Sequence, residues 1–150
     1  MDPPIHSLRL RWEAAGTLLA ARLAIRFVPF RWLVRLFEWP PWAPELEGYE
    51  RDRVRAEVRN AVYHAARRLP GTVCYPQAVA AQLMLRRRGV STTLYCGAAS
   101  MSGVGLSAHV WLQDGEHGVA GKSASHRYQA LARFSNTPDL SSRTENRVGG

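Results

Sequence analysis

The hydrophobic period of this chain changes at one residue. Before Gly89, apolar side chains recur every three or four positions; after it they alternate. Helices gathered ahead of strands predict an α+β fold, with helices packed on a small antiparallel sheet.

The helical half divides into three. From about Ser7 to Phe37, Leu8, Trp12, Ala15, Leu19, Leu23 and Phe27 recur at helical spacing. Pro29 breaks that run, and a second short helix carries Trp32, Leu33, Leu36 and Phe37. This stripe reads as a helical arm folded back on its own domain; a surface for a protein or membrane partner is the less favoured reading. Pro40, Pro41 and Pro44 fit neither helix nor central strand, and place a boundary there, with Trp39 and Trp42 expected on the neighbouring core. A second helix spans about Tyr49 to Leu69 on the stripe Val54, Val58, Ala61, Val62, Ala65 and Leu69, with His64 at its flank as a half-exposed structural residue. Pro70-Gly71 stops it. After the short loop Gly71-Thr72-Val73, a third helix runs from about Tyr75 to Arg88, with Pro76 in its first turn and Gly89 ending it.

Val90 to Ala98 and Leu106 to Gln113 read as strands, and His117 to Ala120 as a third after the Asp114-Gly115 turn. Tyr128 to Phe134 reads as a short closing helix, and the polar stretch after it as a disordered tail. The expected organisation is therefore a helical arm and linker over 1–44, a folded domain over 45–134 and a tail over 135–150.

Composition excludes several classes. Two cysteines cannot staple a miniprotein or build a four-cysteine zinc module. His109, His117 and His126 have no compact ligand spacing, so no metal is expected. No glycine-rich loop precedes a lysine, and no cofactor is expected. The net charge is +8, and Lys122 is the one lysine among the cations. That balance favours acidic partners, but the arginines scatter over three helices without a nucleic-acid signature. Arg22, Arg26, Arg31 and Arg35 cut the apolar run from Ala14 to Leu36, which leaves no membrane span. Asp2, Glu13 and Arg22 fit a secretory signal poorly, so a cytoplasmic protein with reduced thiols is expected.

The chemistry rests on Cys74 and His109. Cys74 stands where a glycine-bearing loop becomes a helix, among unpaired N–H groups and the positive end of the dipole. Those groups favour a thiolate and suit an oxyanion formed on a carbonyl. His109 lies mid-strand in Ala108-His109-Val110-Trp111, and a strand packed on that helix would let it take and return the proton. By residue type alone, a small buried cysteine and a core histidine are the commoner reading. Cys96, inside a strand, reads as core.

From about Val54 to Phe134 the sequence resembles the leader peptidases of lasso-peptide biosynthesis, in the transglutaminase-like, papain-related superfamily. The helix Ala61-Val62 to Arg68-Leu69-Pro70 precedes Cys74; Gln77-Ala78, Leu83 and Leu85 lead to Arg87-Arg88-Gly89-Val90. Ala108-His109-Val110-Trp111 resembles the family's Ala-His-Ala-Trp strand, and Ala21-Arg22-Leu23 to Pro29-Phe30 its arm.

The resemblance implies a papain-like fold, Cys74 as nucleophile and His109 as base, the nucleophile's helix packed on the sheet that bears the histidine. It also implies three partners: a precursor peptide, a separate leader-recognition protein and an ATP-dependent cyclase. The family's acid falls about a dozen residues after the histidine, where this chain has Ala120-Gly121-Lys122, and Gln113 stands where glutamate is frequent. Asp114 and Glu116 are the nearest acids, but a hairpin turn would point them at solvent. A backbone carbonyl or a residue from elsewhere is expected to orient His109. The expected function is leader removal by a cysteine peptidase. Acyl transfer to an amine and a non-catalytic binding module are the alternatives.

Overall fold

The computed structural model of the chain describes residues 4–71 and 73–136, with side chains from Ser7 onward. Thr72, and the expected tail beyond Asn136, lie outside the described residues. Four helices, α1 (Pro4–Phe27), α2 (Phe30–Phe37), α3 (Gly48–Arg68) and α4 (Cys74–Arg87), precede four strands, β1 (Thr93–Met101), β2 (Gly105–Asp114), β3 (His117–Ala120) and β4 (Gln129–Ser135). A 3-10 helix, Lys122–Arg127, joins β3 to β4. The sheet is antiparallel in the order β3-β2-β1-β4. The α+β reading therefore holds. Helix α1 packs on α3 and α4, and α4 packs on β2 and β3.

Helices α1 and α2 are built into the main core. Leu10, Leu18, Leu33 and Phe37 join Val58, Val62, Met84, Leu85, Leu94 and Leu112 in one buried cluster. The buried face of α1 is not the expected one. Leu10, Ala14, Leu18 and Ala21 are buried, whereas Leu8, Trp12, Leu19, Leu23 and Phe27 are exposed. Both stripes have helical spacing, and side-chain size decides between them. The α1 alanines meet a layer carrying Ala61, Ala65, Ala80 and Ala81, which lets the helices approach closely. The Pro-rich segment lies along the end of α4: Trp42 N–H donates to the Arg86 carbonyl and Leu46 N–H to the Gly89 carbonyl. Trp39 and Trp42 face solvent there, rather than the core. A Cβ on Gly89 would run into the Pro44 carbonyl, and its φ of 78° is in the left-handed region.

The closing helix expected at Tyr128 to Phe134 is instead strand β4. Tyr128, Leu131 and Phe134, three apart, imitate a helical period, but the free edge of β1 needs hydrogen-bond partners and β4 supplies them. Asn136 closes the pairing: its side-chain oxygen accepts from Thr92 N–H at 2.6 Å, and its own N–H donates to the Thr92 carbonyl.

Two buried polar groups tie the layers together. Arg86, fully buried on α4, donates to the Leu36 carbonyl, while Gln82 donates to the Phe37 carbonyl at 3.2 Å. Both thus cap α2, whose negative end faces the guanidinium. Asp114 lies not in solvent, as the turn suggested, but buried at the end of β2. Arg51 grips both of its oxygens, and Arg55 donates to Oδ2 at 2.8 Å. Burial by itself would raise the Asp114 carboxyl, but the hydrogen bonds from Arg51 and Arg55 outweigh it and hold it below the usual range. A carboxyl depressed in the folded state stabilises above its unfolded value and loses that contribution as pH falls through the folded one.

Asp114→Ala should cost about 3 kcal/mol in urea unfolding, because two cations lose a nearly buried partner. The stability of the wild-type chain should fall below about pH 4, and Asp114→Asn should flatten that fall, measured as unfolding midpoint against pH.

Candidate active site

Cys74 is the first residue of α4. Its preceding residue, Val73, is extended and brings no side-chain cap to the start of the helix. The thiol is partly exposed and lies near Cys96 on β1. Burial pushes the Cys96 thiol up, and the neighbouring Cys74 adds to the shift. Beside them the Tyr75 hydroxyl is buried, without a hydrogen-bond partner among the described residues. Its pKa is pushed up to about 12, by burial first and by Cys96 second.

His109 is central in β2, opposite Gly97 of β1. Its ring stacks on Trp111 at 5.9 Å and on Tyr128 at 4.8 Å. Nε2 is 2.7 Å from the carbonyl oxygen of Gly121. A carbonyl only accepts, so Nε2 carries the hydrogen and Nδ1 remains as the basic nitrogen. Gly121 has a φ of 72°, and a Cβ there would meet the Val110 carbonyl and His109 Nε2. Gly97 is equally constrained, since a Cβ would strike the Trp111 ring.

Strand alternation sets His109, Trp111 and Tyr95 on one side of the β1–β2 pair, and Val110, Leu112, Cys96 and Leu94 on the side that α4 covers. Cys74 approaches at Cys96, whose cross-strand partner Val110 is the next residue after His109. The His109 ring therefore lies on the face of the sheet away from α4, while Cys74 lies on the covered face beside Cys96, and no hydrogen bond joins the two among the described residues. A cavity of about 570 Å³ opens between α3, α4 and the turn after β3. It is lined by Gln77, one turn along α4 from Cys74, by Gly121, and by Arg59, Asn60, Tyr63 and Lys122.

The remaining candidates are placed elsewhere. Asp114 is committed to Arg51 and Arg55. Glu116 is exposed in the turn. His64, His117 and His126 are exposed, His64 against the Tyr63 ring and His126 on the Ser123 carbonyl. Gly97, Gly121 and Tyr128 support the histidine, and the sequence reading gave none of them that role. A glycine inside a strand pattern was the available signal for Gly97.

Gly121→Ala should lower turnover at least about tenfold while the chain stays folded by circular dichroism, because the carbonyl that fixes the imidazole is displaced. Iodoacetamide should label Cys74 before Cys96 near neutral pH, read by peptide mass spectrometry, since burial holds the second thiol protonated.

The sequence matches the family model described as the Transglutaminase-like superfamily over residues 16–133. Neither the curated proteins nor the solved structures give a significant match. The matched span includes Cys74, His109, Gly121 and the C-terminal half of α1, and it covers well over half the chain. With a helix led by Cys74 packed on the sheet that bears His109, the chain belongs to the Transglutaminase-like superfamily, chiefly a group of cysteine hydrolases and transferases.

Proposed function

We propose that this chain is a cysteine peptidase that removes the leader from a ribosomally made lasso-peptide precursor. It would work in the cytoplasm, with a separate leader-recognition protein and an ATP-dependent cyclase. The observation that carries the reading is the hydrogen bond between His109 Nε2 and Gly121. It gives the imidazole a fixed hydrogen on one nitrogen and a basic site on the other, at the point where the family resemblance calls for an orienting group.

The Cys74 thiol gives its proton to His109 Nδ1, and the sulfur attacks the scissile carbonyl carbon. The oxyanion is held by the first-turn N–H groups of α4. Imidazolium then protonates the departing amine, which leaves as the new N-terminus of the core peptide. Water, deprotonated by the same nitrogen, attacks the thioester; the leader acid leaves and the thiol is restored. Hydrolysis suits this product better than transfer to an amine, because the freed amine is what ring closure consumes. Strand alternation sets the His109 ring on the face away from α4, so the first step requires a rearrangement that brings imidazole and thiol within proton-transfer reach.

The test is cleavage of a synthetic precursor by the purified chain with its recognition protein, followed by mass spectrometry. Cys74→Ala and His109→Ala should each lose about a thousandfold or more, since the pair acts as a unit. Cys96→Ala should cost some stability and keep turnover. Full activity in the Cys74 variant would overturn the assignment. A product joined to an added amine would favour acyl transfer, and a folded wild-type chain inert towards precursor and alkylating agent would favour a binding module.

A further inference from the structure

The outer face of α1 takes no part in the proposed reaction, yet it carries five large exposed apolar side chains. Leu8, Trp12, Leu19, Leu23 and Phe27 are 47% to 75% exposed. At about 100° per residue they share an arc of about 100°, nearly opposite the buried arc of Leu10, Ala14, Leu18 and Ala21. The helix is about 36 Å long. Phe30 and Trp32 on α2, both over half exposed, follow it.

From Leu8 to Phe27 the exposed charged groups of this helix are of one kind. Glu13 is drawn inward by Arg88, which grips both of its oxygens. The Thr17 hydroxyl donates to the Glu13 carbonyl. Between Leu8 and Phe27 the other polar residues are Arg9, Arg11, Arg22 and Arg26. Arg11 and Arg22 border the apolar arc on one side and Arg9 on the other, and Arg26 lies within it. Arg22 already donates to the Pro70 carbonyl, while Arg9, Arg11 and Arg26 are exposed.

We propose that α1 seats this protein flat on an anionic lipid surface. The charge pattern selects that occupant. A second copy would set one arginine-bordered stripe against another, with no acid on the face to offset it. A protein partner would ordinarily find neutral hydrogen-bonding groups among the apolar ones, and this face has none. A lipid interface requires only apolar side chains that enter the acyl boundary, aromatic rings at headgroup depth and guanidinium groups for the phosphates. No helix among the described residues is long and apolar enough to cross the membrane, so the contact is peripheral. Because α1 lies on α3 and α4, and α4 in turn on the sheet, the cleft beside Gln77 and Gly121 stays open when α1 is docked.

The experiment is flotation of the full chain with vesicles of phosphatidylcholine containing roughly one-third phosphatidylglycerol, beside vesicles of phosphatidylcholine alone. Binding should be at least about tenfold stronger to the anionic vesicles and should weaken at about 0.5 M salt. Leu19→Glu with Leu23→Glu should reduce binding at least about tenfold with an unchanged thermal midpoint, since both residues are exposed. Failure of the folded wild-type chain to float overturns the proposal. So do equal binding to both vesicles, a stable dimer that shields the stripe, and protection of the stripe by the recognition protein without vesicle binding. None of these outcomes bears on cleavage of the precursor.

Discussion

Small residues meet where α1, α3 and α4 come together. Ala14, Ala21, Ala61, Ala65, Ala80 and Ala81 are all buried in the cluster the three helices share. An alanine contact gains little area per residue, but it lets helices approach closely enough for the larger Leu10, Leu18, Val58 and Met84 to fill the spaces between. Once that seam is made, α1 has no freedom to turn. Its larger side chains then face outward whatever their hydrophobicity, and α4 is fixed with Cys74 at the sheet.

Buried charge is handled in two ways around this seam. Arg51 connects Asp114 with Glu45 and with the carbonyls of Leu46 and Ser91, so the segment after Pro44, the start of α3 and the end of β2 converge on one guanidinium. Four acceptor groups compensate its desolvation. Arg86 has no carboxylate at all. Burial lowers its pKa, and the Leu36 carbonyl at the end of α2 and the Trp42 ring at 6.0 Å are its compensation. The first cluster fixes the sheet to the helices; the second fixes α2.

The change of period at Gly89, the break at Pro29 and the helix start at Cys74 were legible, because each depends on a local backbone rule. A backbone carbonyl was one of the two orienters expected for His109, since no acid stood at the expected position. The buried face of α1 was not legible: two stripes obeyed the same spacing, and hydrophobicity favoured the one with Trp12 and Phe27. What decided it was the shape of α3 and α4, which lies outside the segment. Asp114 was misplaced for a similar reason. A turn sequence predicts solvent, but Arg51 and Arg55, about 60 residues earlier, draw the carboxylate inward. Strand β4 exists because β1 has an edge to fill, which no local pattern records.

The orienter of His109 has consequences for how catalysis would be shared out. A carboxylate fixes the tautomer and also stabilises the imidazolium that forms; a neutral carbonyl does the first fully and the second weakly. The Gly121 carbonyl therefore supplies orientation with less charge compensation. Stabilisation of the negative states, thiolate and oxyanion, falls to the start of α4, where Val73 brings no side-chain cap. The imidazolium is stabilised instead by the aromatic rings of Trp111 and Tyr128, since both stack on the imidazole and present their faces to it. Under the proposed function, rigidity at Gly97 and Gly121 matters as much as the chemistry of the pair. A Cβ at either glycine would disturb the stack or the carbonyl that holds the base in place.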